Sequence, residues 1–157
     1  MSSKKNLWGE LPNPETIRTP YAILKEQASL LSEITNGLLI GEVINSQNGK
    51  FFVKILRIKA PSLNNYTYSV VEVQHLIQLY PVFVKNLTSD PLTNATDFIQ
   101  SLMGDLKGYG LLEKQGYNKC SSEEEFENAL GEILSSQEVK QVISALLAQI
   151  HADIPKQ

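Results

Sequence analysis

The sequence predicts an α+β fold, in which an N-terminal helix packs on a three- to four-stranded antiparallel meander and an acidic C-terminal helical segment follows. Three observations support this prediction. Apolar residues with helical spacing begin after Thr19-Pro20, two strand-like runs flank Asn48-Gly49, and two capped amphipathic helices follow Cys120. Because Asn-Gly favours the tight type I′ turn, we expect the two flanking runs to pair as a hairpin.

The first part of the chain is predicted to be an arm followed by a helix. Residues 1–18 contain two prolines and show no clear periodicity, so we expect an extended arm that Trp8 anchors on the core. Thr19 is the predicted N-cap, and Pro20 occupies the first helical position, where its missing N–H costs nothing. Asn36-Gly37 is a good stop signal. The apolar stripe of this helix comprises Ile23, Leu24, Ala28, Leu31 and Ile34.

The hairpin has two predicted strands, Leu38–Ser46 and Phe51–Ala60. A two-residue turn at Asn48-Gly49 would place Glu42 opposite Ile55 and make Arg57 its diagonal neighbour. Both faces of this hairpin are largely apolar, whereas a sheet with one solvated face alternates more cleanly. We therefore expect both faces to be partly covered.

Two more strands are predicted after the hairpin. Tyr66–Ile77 reads as a third strand, and its apolar side switches midway, which indicates a bulge or a bend. Tyr80–Lys85 reads as a short fourth strand. Pro81 cannot donate to a ladder, so it favours an edge strand or the start of a strand. With the first helix, these strands make residues 19–87 a helix-plus-sheet unit.

Residues 88–157 are predicted to be a helical segment that belongs to the same single domain. A short helix should end at about Met103, before several glycines interrupt the chain. Ser122–Glu125 is a capping box that begins an amphipathic helix. Ser135–Glu138 repeats this device at once, so the last two helices should form a tight corner.

The composition is typical of a globular protein, since 42% of the residues are hydrophobic. No apolar run approaches the roughly 18 residues of a membrane helix, and the N-terminus lacks the apolar region of a secretory signal. The one cysteine, Cys120, excludes an internal disulfide and fits a reducing compartment. We therefore expect a cytoplasmic protein without membrane contact.

Charge is divided unevenly along the chain, whose net charge is −3. Residues 1–85 carry nine Lys or Arg against six Asp or Glu, and residues 86–157 carry five against eleven. The acidic helix is a candidate docking surface for another protein. Its candidate partner-binding residues are Glu123, Glu124, Glu127 and Glu132. In size, acidic charge and helix-then-sheet order, the chain resembles bacterial immunity and accessory proteins.

The sequence shows no recognisable catalytic or metal-binding motif. The two histidines, His75 and His151, have no metal-ligand spacing, and neither a nucleophile elbow nor a phosphate-binding loop is present. Glu72 and His75 stand three apart on a strand, so they should point to opposite faces and form no acid–base dyad. We assign no cofactor, metal or catalytic residue, and we expect the protein not to be an enzyme.

One group of residues fits nucleic acid, because aromatic side chains between cations are typical of single-strand binders. Its candidate residues are Lys50, Phe52, Lys54, Arg57 and Lys59. In the predicted register, Lys54 and Phe52 share one face and Arg57 the other. This split weakens a continuous basic stripe.

Three functional hypotheses follow. The favoured one is a non-enzymatic cytoplasmic interaction or accessory protein that binds another protein. The second is a module that binds single-stranded nucleic acid through the basic aromatic hairpin. The third is a small enzyme or small-molecule binder with a pocket between helix and sheet. The sequence leaves the oligomeric state open.

Overall fold

The computed structural model describes residues 4–13, 17–88 and 116–153 and has the predicted α+β class. The elements in chain order are helix α1 (Pro20–Ile34), strands β1 (Ile40–Asn48), β2 (Phe51–Ala60), β3 (Tyr66–His75), β4 (Val82–Asn86) and β5 (Asn118–Cys120), and helices α2 (Glu123–Leu134) and α3 (Gln137–Asp153). Within the described residues, the strands form one antiparallel meander in the order β1-β2-β3-β4-β5. The sheet therefore has one strand more than predicted, because β5 pairs with β4 after a long connection.

The predicted boundaries of α1 are confirmed. The Thr19 hydroxyl accepts a hydrogen bond from the backbone N–H of Ala22 at 3.0 Å, and Pro20 occupies the first turn. The helix ends at Ile34, and the next residues include Asn36 and Gly37 with φ of 53° and 80°. These left-handed positions turn the chain back toward the first strand.

The predicted hairpin turn is wrong by one position. Asn48 pairs with Phe51, so the two-residue turn is Gly49-Lys50. Gly49 has a φ of 60°, whereas Lys50 does not have a positive φ. This pattern is that of a type II′ turn, which has glycine at its first central position, and not of the type I′ turn expected from Asn-Gly. Glu42 consequently faces Arg57 directly. Because every pairing shifts by two residues, all side chains keep their predicted faces.

The predicted bulge is confirmed in β3. Leu56 pairs with Val71, whereas the next residue, Arg57, pairs with Ser69. Val70 is thus the extra residue opposite β2. Both Val70 and Val71 are buried, although they are adjacent in a strand. The bulge is what lets two successive side chains enter the core.

Helix α1 lies against β1 at very short range. A Cβ atom built on Gly41 would be 2.4 Å from the backbone Cα of Ala28, so only glycine fits there without a shift. The backbone N–H of Gly41 donates to the Ser32 hydroxyl of α1 at 3.2 Å. This bond joins the helix to the outer edge of β1.

The C-terminal helices complete the core on the same face. Helix α2 buries Phe126, Leu130 and Ile133, and α3 buries Val139, Leu146 and Ile150. The Ser122 hydroxyl caps α2 by accepting from the Glu125 N–H at 3.2 Å, as predicted. The cap of α3 is Ser136, which accepts from the Val139 N–H at 3.3 Å, and not Ser135. The Ser135 hydroxyl instead donates to the Gly131 carbonyl at 2.6 Å.

The opposite face of the sheet is also covered, as the apolar pattern predicted. Val53 of β2 and Phe83 of β4 are buried there, and Phe83 packs with Tyr117 and Phe51. The two core clusters therefore lie on opposite sides of the sheet.

Trp8 does not anchor the arm, because its side chain is 83% exposed. The short helix predicted to end at Met103 lies outside the described residues.

Candidate functional site

A cavity of about 640 Å³ lies between α1, the sheet and the last two helices, and we call it the α1–α3 groove. This volume is in the range of ligand pockets, roughly 300–1,000 Å³. Among the described residues, the groove is lined mainly by apolar side chains, and the charged residues at it are Arg57, whose side chain pairs with Glu42 on the opposite face of β2, and Lys140. Its apolar lining comprises Ala28, Leu30, Leu31, Ile34, Leu38, Leu56, Ile58, Val70, Leu134, Val139, Ile143 and Leu147.

Two helical stripes form the walls of the groove. On α1, Leu30 and Ile34 stand four residues apart, so they share one face of the helix. On α3, Val139, Ile143 and Leu147 recur with the same spacing. The stripes face each other across the cavity without closing it. Ile34 was predicted to face the core, yet its side chain is 78% exposed.

Large apolar side chains are exposed beside this cavity. Leu30 and Leu38 are 43% and 42% exposed, and both line the groove with Ile34. Single exposed apolar residues are common on monomeric proteins and need no explanation. Contiguous exposed residues around a concave surface are instead typical of binding sites.

The acidic candidate residues of α2 are divided into two pairs. Glu123 and Glu127 both bind Arg18, which precedes α1; the Glu123–Arg18 distance is 3.4 Å. Arg18 also pairs with Glu26 of α1. Glu124 and Glu132 are exposed. The residue that sequence reasoning missed is Arg18, because its partners on α2 lie more than 100 positions away.

The basic candidate residues are also divided. Arg57 Nε donates to Glu42 Oε2 at 2.8 Å, and Lys59 Nζ lies 3.6 Å from Glu42 Oε1, so both cations share one carboxylate. The hydrogen bond from Arg57 lowers the pKa of Glu42. Lys54 and Phe52 lie on the other face of β2, and Lys50 is exposed in the turn.

Phe52 and Lys54 line a second cavity, of about 300 Å³. Tyr21 of α1 and His75 of β3 line it as well. Neither residue belonged to the predicted nucleic-acid set. His75 pairs with Phe52 between β3 and β2, so the register of those two strands could have indicated it, whereas Tyr21 comes from α1.

A buried polar cluster on the opposite face of the sheet was missed entirely. Glu72 accepts hydrogen bonds from the Tyr117 hydroxyl and from Gln74 Nε2, the latter at 3.1 Å. Lys85 Nζ lies 5.4 Å from the centre of the Tyr117 ring. Gln74 Oε1 is buried and has no hydrogen-bond partner in the described part of the chain. Burial raises the pKa of Glu72, against the opposing effects of Gln74 and Lys85.

Replacing Glu72 with glutamine should therefore change how stability depends on pH. A raised pKa in the folded state means that the ionised carboxylate is disfavoured by folding. The contribution of neutral Glu72 to the free energy of unfolding is complete below the pKa that Glu72 has in the unfolded state. It is lost as the pH rises through the higher pKa that Glu72 has in the folded state. We expect Glu72→Gln to gain stability relative to the native protein as the pH rises above the ordinary range of a glutamate pKa, measured by urea unfolding at several pH values. Glu124→Gln, on the exposed face of α2, is the control, and an equal pH trend in both variants would contradict the assignment.

The thiol and the imidazole do not meet. Cys120 and His75 both pair with Val82, from opposite sides, so they stand two strands or about 10 Å apart. Burial, with a smaller effect of Glu125, raises the pKa of Cys120 to about 11, so its thiol stays protonated at neutral pH. A protonated thiol is a poor nucleophile.

Among the described residues, no group of three or more His, Cys, Asp or Glu side chains is placed to hold a metal ion. No helix in the described ranges is both long and apolar enough to cross a bilayer. No protein-family model matches the chain, and neither a curated protein nor a solved structure shows significant similarity to it.

Proposed function

We propose that this chain is a non-enzymatic cytoplasmic protein that binds another protein, and that an apolar segment of the partner occupies the α1–α3 groove. The observation that carries this proposal is the exposure of Leu30, Ile34 and Leu38 beside a cavity of about 640 Å³. Burial of such side chains is favourable by roughly 25 cal/mol per Å² of apolar surface. A partner that fills the groove would gain this free energy.

The charges of the groove indicate the chemistry of the partner. The Arg57 side chain is paired with Glu42 on the opposite face of the sheet, whereas Lys140 of α3 forms no ion pair within the described residues. None of the described residues that line the cavity is acidic. We therefore expect a segment whose apolar side chains are flanked by Asp or Glu. An acidic amphipathic helix is the simplest such segment, because helix-in-groove recognition uses anchors on one face.

The other two hypotheses find different support. A nucleic-acid stripe along β2 would need Arg57 and Lys59, which share Glu42 on the face opposite Lys54. A small apolar molecule would use the same groove as the proposed peptide. The experiment must therefore distinguish a protein ligand from a small one.

Substitution at the mouth of the groove tests the proposal. We expect Ile34→Gln combined with Leu38→Gln to lower partner retention at least about tenfold, because two apolar anchors together contribute roughly 2–4 kcal/mol to such an interface. The measurement is quantitative affinity capture from cell extract, followed by titration of the recovered protein. The matched control combines Ile44→Gln with Ile77→Gln, whose side chains are 38% and 73% exposed outside the groove.

The outcomes separate the alternatives. A protein retained by the native chain and by the control, but lost with the groove variant, supports the proposal. Loss with Glu124→Gln and Glu132→Gln instead would assign the interface to the acidic helix and contradict the groove. Recovery of an apolar small molecule, or a second copy detected by light scattering, would identify a different occupant and would also contradict it.

A further inference from the structure

The hairpin and the first turn of α1 form a cavity that is separate from the groove. It measures about 300 Å³, and we call it the aromatic pocket, defined by Tyr21, Asn45, Phe52, Lys54 and His75. None of these residues lines the α1–α3 groove. The pocket is therefore independent of the protein-binding surface proposed above.

The rings of Tyr21, Phe52 and His75 line this pocket together with the ammonium group of Lys54. The rings of Phe52 and His75 are stacked, with centroids 5.5 Å apart and an interplanar angle of 24°. Lys54 Nζ lies 5.2 Å from the centre of the Tyr21 ring and 5.7 Å from that of Phe52. Because the ammonium already occupies the faces of two rings, the pocket disfavours a cationic ligand. It favours a planar ligand that is rich in hydrogen-bond acceptors.

The hydrogen bond of His75 determines which of its nitrogens is free. His75 Nδ1 lies 2.7 Å from the carbonyl oxygen of Leu76, and a carbonyl can only accept, so Nδ1 carries the hydrogen. Burial lowers the pKa of His75, so the ring is neutral at pH 7. Nε2 is then a hydrogen-bond acceptor. The pocket thus combines an acceptor on His75, a cationic donor on Lys54 and the amide of Asn45, which can do both.

We propose that the aromatic pocket binds one unstacked nucleobase. A base has a flat π-face that can stack on Phe52 or Tyr21 in place of Lys54 Nζ, which then contacts the edge of the base. Its edge carries N–H donors and carbonyl or ring-nitrogen acceptors, which match His75 Nε2 and Lys54 Nζ. The base comes from a free nucleotide or from a single strand of nucleic acid. Both sources present the same chemistry to the pocket.

Titration with nucleotides and oligonucleotides tests this proposal and separates its two sources. The probes are adenosine and uridine 5′-monophosphates in one arm and short single-stranded oligonucleotides of the same bases in the other, measured by calorimetry and by saturation-transfer NMR. We expect Phe52→Leu, which removes the ring but keeps an apolar side chain, to weaken binding about 5- to 150-fold. The matched control is Phe51→Leu, on the opposite face of the same strand.

A second pair of variants separates site binding from general charge attraction. Lys54→Met keeps the apolar stem and removes one positive charge, and Lys59→Met removes the same charge from the other face. The proposal requires a clear loss with Lys54→Met and a change within about twofold with Lys59→Met. Circular dichroism of every variant verifies that it is folded.

Each outcome is decisive. Saturable binding of a mononucleotide that Phe52→Leu weakens identifies a free nucleotide as the source, and binding confined to the oligonucleotides identifies a single strand. The absence of saturable binding in both arms would overturn the proposal. Oligonucleotide binding that Lys54→Met and Lys59→Met weaken equally would also overturn the proposal, since this would reflect charge alone. Equal weakening by Phe52→Leu and Phe51→Leu would overturn it as well.

Discussion

Replacing Gly41 with alanine is expected to lower the free energy of unfolding by about 3 kcal/mol, near the upper end of the usual overpacking cost. The added Cβ would lie 2.4 Å from both the Cα and the carbonyl oxygen of Ala28, which are backbone atoms and cannot rotate away. Helix α1 would have to move off β1, and the hydrogen bond from the Gly41 N–H to Ser32 would be strained or broken. Urea unfolding followed by circular dichroism measures the change.

Gly131 provides a matched control for this substitution. It lies inside α2, and a Cβ built there meets no heavy atom within 4 Å. Gly131→Ala should therefore stabilise the protein, by up to about 1 kcal/mol, because alanine is the better helix former. Equal effects of the two alanine substitutions would show that the close approach of α1 to β1 does not govern stability.

Phe126→Ala is expected to have the largest effect of the substitutions considered, a loss of about 3–5 kcal/mol. The Phe126 side chain is completely buried and belongs to the core cluster that α1, the sheet, α2 and α3 share. Truncation would remove apolar contacts from several elements and leave a cavity that rigid strands cannot fill. Since a domain is typically stable by about 5–15 kcal/mol, much of the total would be lost.

The comparison for Phe126→Ala uses a neighbouring exposed position. Asn128→Ala, on the solvent side of α2, should change stability by no more than about 0.5 kcal/mol. Phe126→Leu should fall between the two, because it keeps most of the buried volume. A loss below about 1 kcal/mol for Phe126→Ala would mean that α2 contributes little to the core.

The features predicted correctly from sequence are those that depend on close neighbours. The caps at Thr19 and Ser122 each need a partner only three residues away, so the pattern contains both members of the bond. The bulge at Val70 was visible because the apolar side of the strand changes there. Such signals are local, and tertiary contacts did not override them.

The wrong predictions share a different cause. Two hairpin registers that differ by two residues place every side chain on the same face, so alternation cannot choose between turns at Asn48-Gly49 and Gly49-Lys50. For the arm, an isolated apolar residue such as Trp8 carries no information about what it would pack against. The strand β5 was missed because its partner, β4, lies more than 30 residues earlier.

The candidate site was only half predictable. The apolar stripes of α1 and α3 were evident in the sequence. The width of the groove between them depends on the distance at which the two helices pack, and about 100 residues separate these helices in the chain. Likewise, Glu72 was identified as a polar residue in a strand, whereas its contact with Tyr117 joins positions 45 apart. Long-range geometry of this kind has no signature in a single sequence.

The bond between the Gly41 amide and the Ser32 hydroxyl has a consequence for the behaviour of the protein at high concentration. Strand β1 is the first strand of the meander, and an unoccupied row of amides at such a border can recruit a strand from another molecule. The serine occupies one of these amides and holds a helix across the border. Natural sheets often use such obstruction against aggregation, and Ser32 gives this chain part of that protection.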